Sequence, residues 1–290
     1  MINFHGNRKR KTYFEGWYLK HQNTKDTIAM IPAYHVNSMG EKSASLQIIT
    51  NEGQENIPFS VEEFQPAKDR FCLRLGGCSF SQRGCRFNLP NLQGKLDYKH
   101  ISKPKYDIMG PFRYVPFMEC RHTVVSMVHQ VDGKLTYNGK IYTFHNGRGY
   151  IEGDRGASFP KEYLWTQANW QDCGVMLCVA TIPMIMGEFV GTIGFVYVGG
   201  KEYRLATYLG AKILVADENS VILRQRNKKL QVRLIEPNPK PLYAPSNGEM
   251  ERIIHESASC KVQYEFFING EKIFSHISSS AAFEESHTKM

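Results

Sequence analysis

Hydrophobic and polar positions alternate with period two along several stretches of this chain. Cys260, Val262, Tyr264, Phe266 and Ile268 are interleaved with Ser259, Lys261, Gln263 and Glu265. Leu230, Val232 and Leu234 alternate with Lys229, Gln231 and Arg233, and Phe71, Leu73 and Leu75 with Cys72 and Arg74. A two-residue period puts every second side chain on one face, so these runs predict half-buried β-strands. Helical periodicity is scarce. Residues 160–167 could open a helix capped by Ser158, but aromatic and polar residues alternate from Tyr163 onward, which favours strand. The apolar run over residues 175–186 contains Pro183 and reads as buried strand.

Turn dipeptides punctuate the runs. Asp132-Gly133, Asn138-Gly139, Asn247-Gly248 and Asn269-Gly270 tolerate positive φ at both central positions of a tight hairpin. Many short strands joined by tight turns predict a sandwich or a barrel. Eight or nine strands of six to ten residues use roughly 120–150 residues. A chain of 290 residues therefore holds two such units. The Pro-containing stretch at 109–116 is a plausible joint, giving domains 1–115 and 116–290.

Two stretches concentrate candidate chemistry. In residues 13–20, four aromatic side chains surround Glu15 and Gly16. Strand geometry puts Glu15 and Trp17 on one face, and Phe14, Gly16 and Tyr18 on the other. Either Trp17 closes one end of a barrel and Glu15 pairs with a nearby base, or Glu15 is a buried carboxyl whose raised pKa makes it a proton donor. The second stretch, residues 144–170, combines Gly147, Gly149, Gly153 and Gly156 with Arg148, Glu152, Asp154 and Arg155. Trp165, Gln167 and Asn169 then share a face of the following strand. Inward amides need partners that a ligand supplies; the other reading is a glycine-rich surface loop followed by a strand with a solvated polar face.

Composition narrows the function classes. Lys and Arg number 36 against 28 Asp and Glu, a net charge of +8. The basic clusters at 8–11 and 224–233 fit solvated strand edges, and no nucleic-acid reader motif accompanies them. No dinucleotide loop, Walker sequence or HExxH motif occurs. Cys120 with His122, and Cys78 with Cys85, leave any zinc set incomplete. No metal and no cofactor is expected. Seven cysteines, an odd number, fit reduced thiols in a cytoplasmic protein. No apolar run is long enough to span a membrane, and the basic N-terminus lacks the apolar core of a secretory signal. Peripheral membrane contact stays open, and the sequence says nothing of oligomeric state.

Residues 13–20 resemble the Phe-Phe-Glu-Gly-Trp-Tyr-Phe-Lys phrase of the tocopherol cyclase family. Tyr150, Glu152, Gly156, Phe159, Pro160, Trp165, Gln167 and Asn169 match a second family phrase, and residues 242–246 resemble its Leu-Arg-Ala-Pro-Thr segment. The resemblance implies a fold related to carotenoid hydratase: all-β, two tandem lipocalin-like antiparallel β-barrels. It also implies cofactor-independent, acid-catalysed cyclisation or hydration of a prenylated quinol or another lipophilic substrate. Glu15, Glu152 and Asp154 become candidate acids. Trp17, Tyr18, Tyr150 and Trp165 become aromatic walls for a carbocation, and Gln167 and Asn169 become partners for hydroxyl groups. Asp154-Arg155 stands where plant members carry Asn-Trp, so an Arg155 facing the cavity favours a carboxylated or phosphorylated ligand. A non-catalytic lipocalin-like carrier of a small hydrophobic molecule is the alternative.

Overall fold

The computed structural model describes residues 3–115, 118–184 and 187–286. Among these, regular structure is strand with four short 3-10 turns and no α-helix. The first sheet contains β1 (Tyr13–Gln22), β2 (Thr27–Val36), β3 (Lys42–Thr50), β4 (Gln54–Phe59), β5 (Phe64–Pro66), β6 (Cys72–Leu75), β7 (Cys78–Ser81), β8 (Gly84–Leu89), β9 (Leu92–Lys99), β10 (Cys120–Tyr137) and β11 (Lys140–Gly156). The second contains β12 (Tyr163–Trp170), β13 (Cys173–Met184), β14 (Gly187–Val198), β15 (Lys201–Ala206), β16 (Lys212–Asp217), β17 (Ser220–Gln225), β18 (Lys228–Glu236), β19 (Lys240–Ser246), β20 (Glu249–Ile268) and β21 (Glu271–Ser286). Their orders are β4-β3-β2-β1-β11-β10-β9-β8-β7-β6-β5 and β15-β14-β13-β12-β21-β20-β18-β17-β16, with β19 pairing to β20. The 175–186 run is strand as far as it can be followed; Ile185 and Met186 lie outside the described residues, as does Pro116 of the expected joint.

Closure differs from expectation. Each sheet coils around its own apolar core, but among the described residues no ladder joins β4 to β5 or β15 to β16. The sheets are open, where two closed barrels were expected. After β4 the chain enters a 3-10 turn, Val61–Glu63, held by a Ser60/Glu63 capping box. Pro58 and Pro66 also remove donors from the two edge strands. Hydrophobic collapse nevertheless wraps the first sheet around one core, where Trp17, Leu46 and Ile48 join Phe64, Leu73 and Phe80. Val175, Leu177, Leu223, Leu230, Val262, Tyr264 and Phe266 form the second core.

Two compact units interleave along the chain. The first comprises residues 1–104, 120–158 and 243–252; the second comprises 105–119, 159–242 and 253–290. A single cut at 115 is therefore corrected: β10 and β11, expected in a domain 116–290, complete the first sheet. Sequence reading could not see this, because β11 pairs with β1, more than a hundred residues away.

Three of the four turn dipeptides behave as their φ preferences require. Asn138-Gly139, Asn247-Gly248 and Asn269-Gly270 occupy positive φ at both positions and turn the chain between strands. Asp132-Gly133 does not. It lies inside β10 at a register shift, with Gly133 at φ 136° and its missing Cβ 2.3 Å from the Lys95 carbonyl oxygen. This is a β-bulge.

Candidate active site

The glycine-rich stretch is central strand rather than loop: β11 sits between β1 and β10. Its glycines make room for side chains. A Cβ on Gly149 would lie 2.1 Å from His129 Nε2, and one on Gly153 would lie 2.9 Å from the Trp17 ring. β11 can therefore take the middle of the sheet while large rings lie across its core face.

Register decides which candidates meet. Glu15 stands opposite Arg155, and Tyr18 opposite Glu152. Directly opposed residues share a face, and residues three apart do not. Glu15 and Glu152 therefore project from opposite sides of one sheet. On the core side, Trp17 packs against Phe4, Phe64 and Phe71, with ring centroids 5.5–6.5 Å away. Glu15 accepts bonds from the His5 backbone N–H at 2.8 Å and the Tyr13 hydroxyl at 2.7 Å, and its other oxygen lies 3.0 Å from His5 Nδ1. Burial and the Glu15 charge drive the Tyr13 hydroxyl pKa upward. Glu15 thus clips the N-terminal segment to β1. Beside it a recess lined by Asn3, Trp17, Thr123 and Arg155 has room for about one water molecule.

The opposite side carries a buried polar chain. His122, on β10, stands opposite Asp154 on β11, and its Nδ1 lies 2.9 Å from Asp154 Oδ1. Its Nε2 lies 3.1 Å from Glu152 Oε2, close enough for ion pairing but obliquely oriented for a hydrogen bond. The Tyr150 hydroxyl donates to the same Oε2 at 2.6 Å. Cys120 Sγ donates to Asp154 at 3.4 Å. Glu152 is 4% exposed and Tyr150 fully buried.

These groups shift each other's proton affinity. Burial raises the Glu152 pKa above the ordinary carboxylate value, opposed by the His122 charge. Burial disfavours charge on His122, but the Asp154 and Glu152 charges outweigh it and, with the Asp154 hydrogen bond, raise the imidazole pKa well above 6.5. Burial, then the Glu152 charge, raises Tyr150 strongly.

His122, Glu152 and Asp154 have the composition of a divalent-cation site. Each ring nitrogen, however, is directed at a different carboxylate. The same three groups also form a carboxyl–imidazole–carboxyl chain, one carboxyl at each ring nitrogen. His122 was missed as a functional residue because bulges in β10 shift its register; its one sequence signal was proximity to Cys120.

Trp165, Gln167 and Asn169 lie on one buried face of β12, in the second unit. Gln167 is fully buried, and neither of its amide atoms has a hydrogen-bond partner. Among the described residues no helix is long and apolar enough to cross a membrane.

The family model described as tocopherol cyclase-like matches residues 79–285. No curated protein sequence matches closely enough to count as a relative. By structure, the chain is similar to CghA crystallised with Sch210972, with TM-score 0.61 and 10% identity over 95% of this chain and 88% of that one. An AttH candidate from Nitrosomonas europaea matches with TM-score 0.57 and 9% identity, covering 98% and 94% of the two chains. Kievitone hydratase from Nectria haematococca matches with TM-score 0.51 and 9% identity, covering 99% and 93%. At these identities the likeness is one of fold.

Proposed function

We propose, from the premise that the chain belongs to the tocopherol cyclase-like family, that it is an enzyme that protonates an alkene of a lipophilic, isoprenoid-type substrate. The observation that carries this reading is the buried Tyr150–Glu152–His122–Asp154 chain. Protonating a trisubstituted alkene needs an acid kept neutral in a dry environment, and burial shifts Glu152 toward its neutral form. Tyr150 and His122 both approach Glu152 Oε2, so Oε1 is the oxygen that carries the transferable proton. As that proton leaves, the Tyr150 hydroxyl and the His122 imidazolium stabilise the carboxylate. Asp154 holds the imidazolium in place.

The resulting tertiary cation is attacked by a phenol oxygen, which closes a ring, or by water, which hydrates the alkene, and the proton that the attacking oxygen sheds returns to the Glu152 carboxylate. Tyr18 and Tyr150 supply π-faces beside it. Trp165, Gln167 and Asn169 of the second unit are offered as ligand contacts, and Arg155 as an anion partner. Glu15, saturated by His5 and Tyr13, serves the reaction less well as an acid than Glu152.

Incubation with a prenylated hydroquinone in heavy water tests the reading. Deuterium should enter the former alkene carbon, and Glu152→Gln should slow incorporation by about 10²–10⁴-fold. If no substrate gains deuterium or cyclises, the proton-transfer reading fails. The unpartnered Gln167 amide favours a second reading, a non-catalytic carrier. That protein would bind lipophiles with an affinity indifferent to Glu15→Gln, Glu152→Gln and Asp154→Asn, and would turn nothing over.

A further inference from the structure

We infer that one end of the second unit is a docking surface for an anionic lipid bilayer. Strand register gathers the residues that form it. Lys212 stands opposite Arg224, Arg224 opposite Lys229, Lys229 opposite Phe267 and Phe267 opposite Lys272. Directly opposed residues share a face. The core face of these strands belongs to Leu223, Leu230 and Phe266, so the row lies on the outward face. At about 4.8 Å between strands it spans roughly 19 Å. Each member on β17, β18, β20 and β21 is within two residues of the turns at 226–227 and 269–270, so the cations ring one end of the sheet. Arg226 and Lys228 add to them at the first turn. The two turns are tied together: Asn227 Nδ2 donates to Asn269 Oδ1 at 2.7 Å, and the Asn269 backbone N–H to the Asn227 carbonyl at 2.8 Å.

Basic residues at strand ends are often no more than solvated. Here the charge is left unneutralised. Several surface lysines elsewhere are paired: Lys95 with Asp97, Lys99 with Asp132, Lys140 with Asp26, and Lys261 with Glu236. At this end Lys272 pairs with Glu265. Among the described residues, Lys212, Arg224, Arg226, Lys228 and Lys229 have no ion-pair partner. Six cations face two acids, Glu265 and Glu271, which leaves +4 of the chain's +8 in this one place. Apolar side chains stand among the cations. Ile273, next to Lys272, is 42% exposed, and Leu214, two residues after Lys212, is 53% exposed. This mixture matches the boundary between headgroups and acyl chains, where cations meet phosphates while isoleucine and leucine enter hydrocarbon. A nucleic acid offers phosphates but no apolar layer. The one aromatic ring of the row is also unsuited to stacking a base, because the Lys229 and Lys272 ammoniums lie 4.3 and 5.6 Å from the Phe267 centroid. The use of such a surface, bringing the protein to a substrate dissolved in a bilayer, rests on the lipophilic substrate proposed above; the surface itself does not.

Flotation with phosphatidylcholine vesicles, plain or with phosphatidylglycerol as roughly a third of the lipid, tests the surface. Each cation near such a surface strengthens binding about fivefold, so the native protein should prefer the anionic vesicles by roughly thirtyfold or more. Binding should collapse between about 0.1 M and 1 M salt, as the Debye length shrinks from about 10 to 3 Å. Arg224→Glu combined with Lys229→Glu should abolish the preference. Arg8→Glu combined with Arg10→Glu, an equal change of net charge on exposed residues of the first unit, should leave it within about twofold, since those residues lie outside the surface. Leu214→Ser combined with Ile273→Ser should weaken vesicle binding about tenfold through lost apolar burial, and leave binding of a duplex oligonucleotide unchanged. Equal binding of both vesicles by the native protein, or equal losses in the two charge-reversed proteins, overturns the lipid surface. Vesicle binding indifferent to Leu214 and Ile273 and displaced by the oligonucleotide overturns it too, in favour of a nucleic acid. The Arg224/Lys229 reversal should not alter deuterium incorporation into a detergent-dispersed substrate. Absence of incorporation in a native protein that still floats with anionic vesicles would sink the acid role and leave the surface standing.

Discussion

Sidedness separates three carboxyl groups that are close in sequence or pairing. Glu15 is spent on His5 and Tyr13, whereas Glu152 is buried beside an imidazolium. An acid must be protonated to act, so turnover should fall as pH rises through the elevated pKa of Glu152. A rate profile rising with pH would instead assign Glu152 as a base. Buried neutral histidines make the opposite demand on stability. Burial lowers His21 and His35 from 6.5 to about 4. Below 6.5 the unfolded chain takes up protons that the folded one refuses, so stability is complete above 6.5 and drains away toward pH 4. Each site accounts for about 3 kcal/mol of that loss. Urea unfolding at pH 7 and pH 4.5 should show it, and His35→Gln should flatten the slope between them.

At the scale of the element, glycine in a strand marks close approach more often here than interruption. Gly149→Ala would drive a methyl into the buried His129 ring, an overpacking worth about 1–3 kcal/mol. The midpoint of chemical denaturation should fall accordingly, with no change at the exposed turn glycine in Gly139→Ala beyond the cost of its positive φ. The same point explains what could be read in advance. Period-two runs such as 260–268 identified strands and their core faces, because alternation is local and each residue votes independently. Asn-Gly turns were legible for the same reason. Asp132-Gly133 misled because its chemistry suits a bulge as well as a hairpin, and only the neighbouring strands decide. Glu152, Asp154 and Tyr150 were visible as an unusual cluster in one glycine-rich stretch. His122 was not, since bulges in β10 set the register that brings it opposite Asp154.

At the scale of the whole chain, the segment between β9 and β10 belongs to the second unit. Arg204 fastens it there, paired with Glu202 at 2.6 Å, donating to the carbonyls of Tyr106 and Asp107 and stacked 3.4 Å from the Tyr106 ring. The Tyr208 hydroxyl adds a bond to the Ile108 carbonyl at 2.8 Å. Arg204 and Glu202 are nearly inaccessible, so removing one leaves the other's charge uncompensated, a cost of about 3–5 kcal/mol. Arg204→Ala should therefore loosen the segment enough for trypsin to cut at the already exposed Lys105 well before the strands are attacked. Equal cleavage of both proteins would show that the fastening is not energetic.

Such threading has a consequence for synthesis. A nascent chain emerging from the ribosome can lay down β1 to β11 early, but the last piece of that unit, residues 243–252, is translated only after most of the other. Vectorial folding, the usual route for multi-unit chains, can thus never finish one before beginning the next. Expressing either half from a simple truncation should yield insoluble material, while a circular permutant opened at an exposed turn such as 138–139 should still fold.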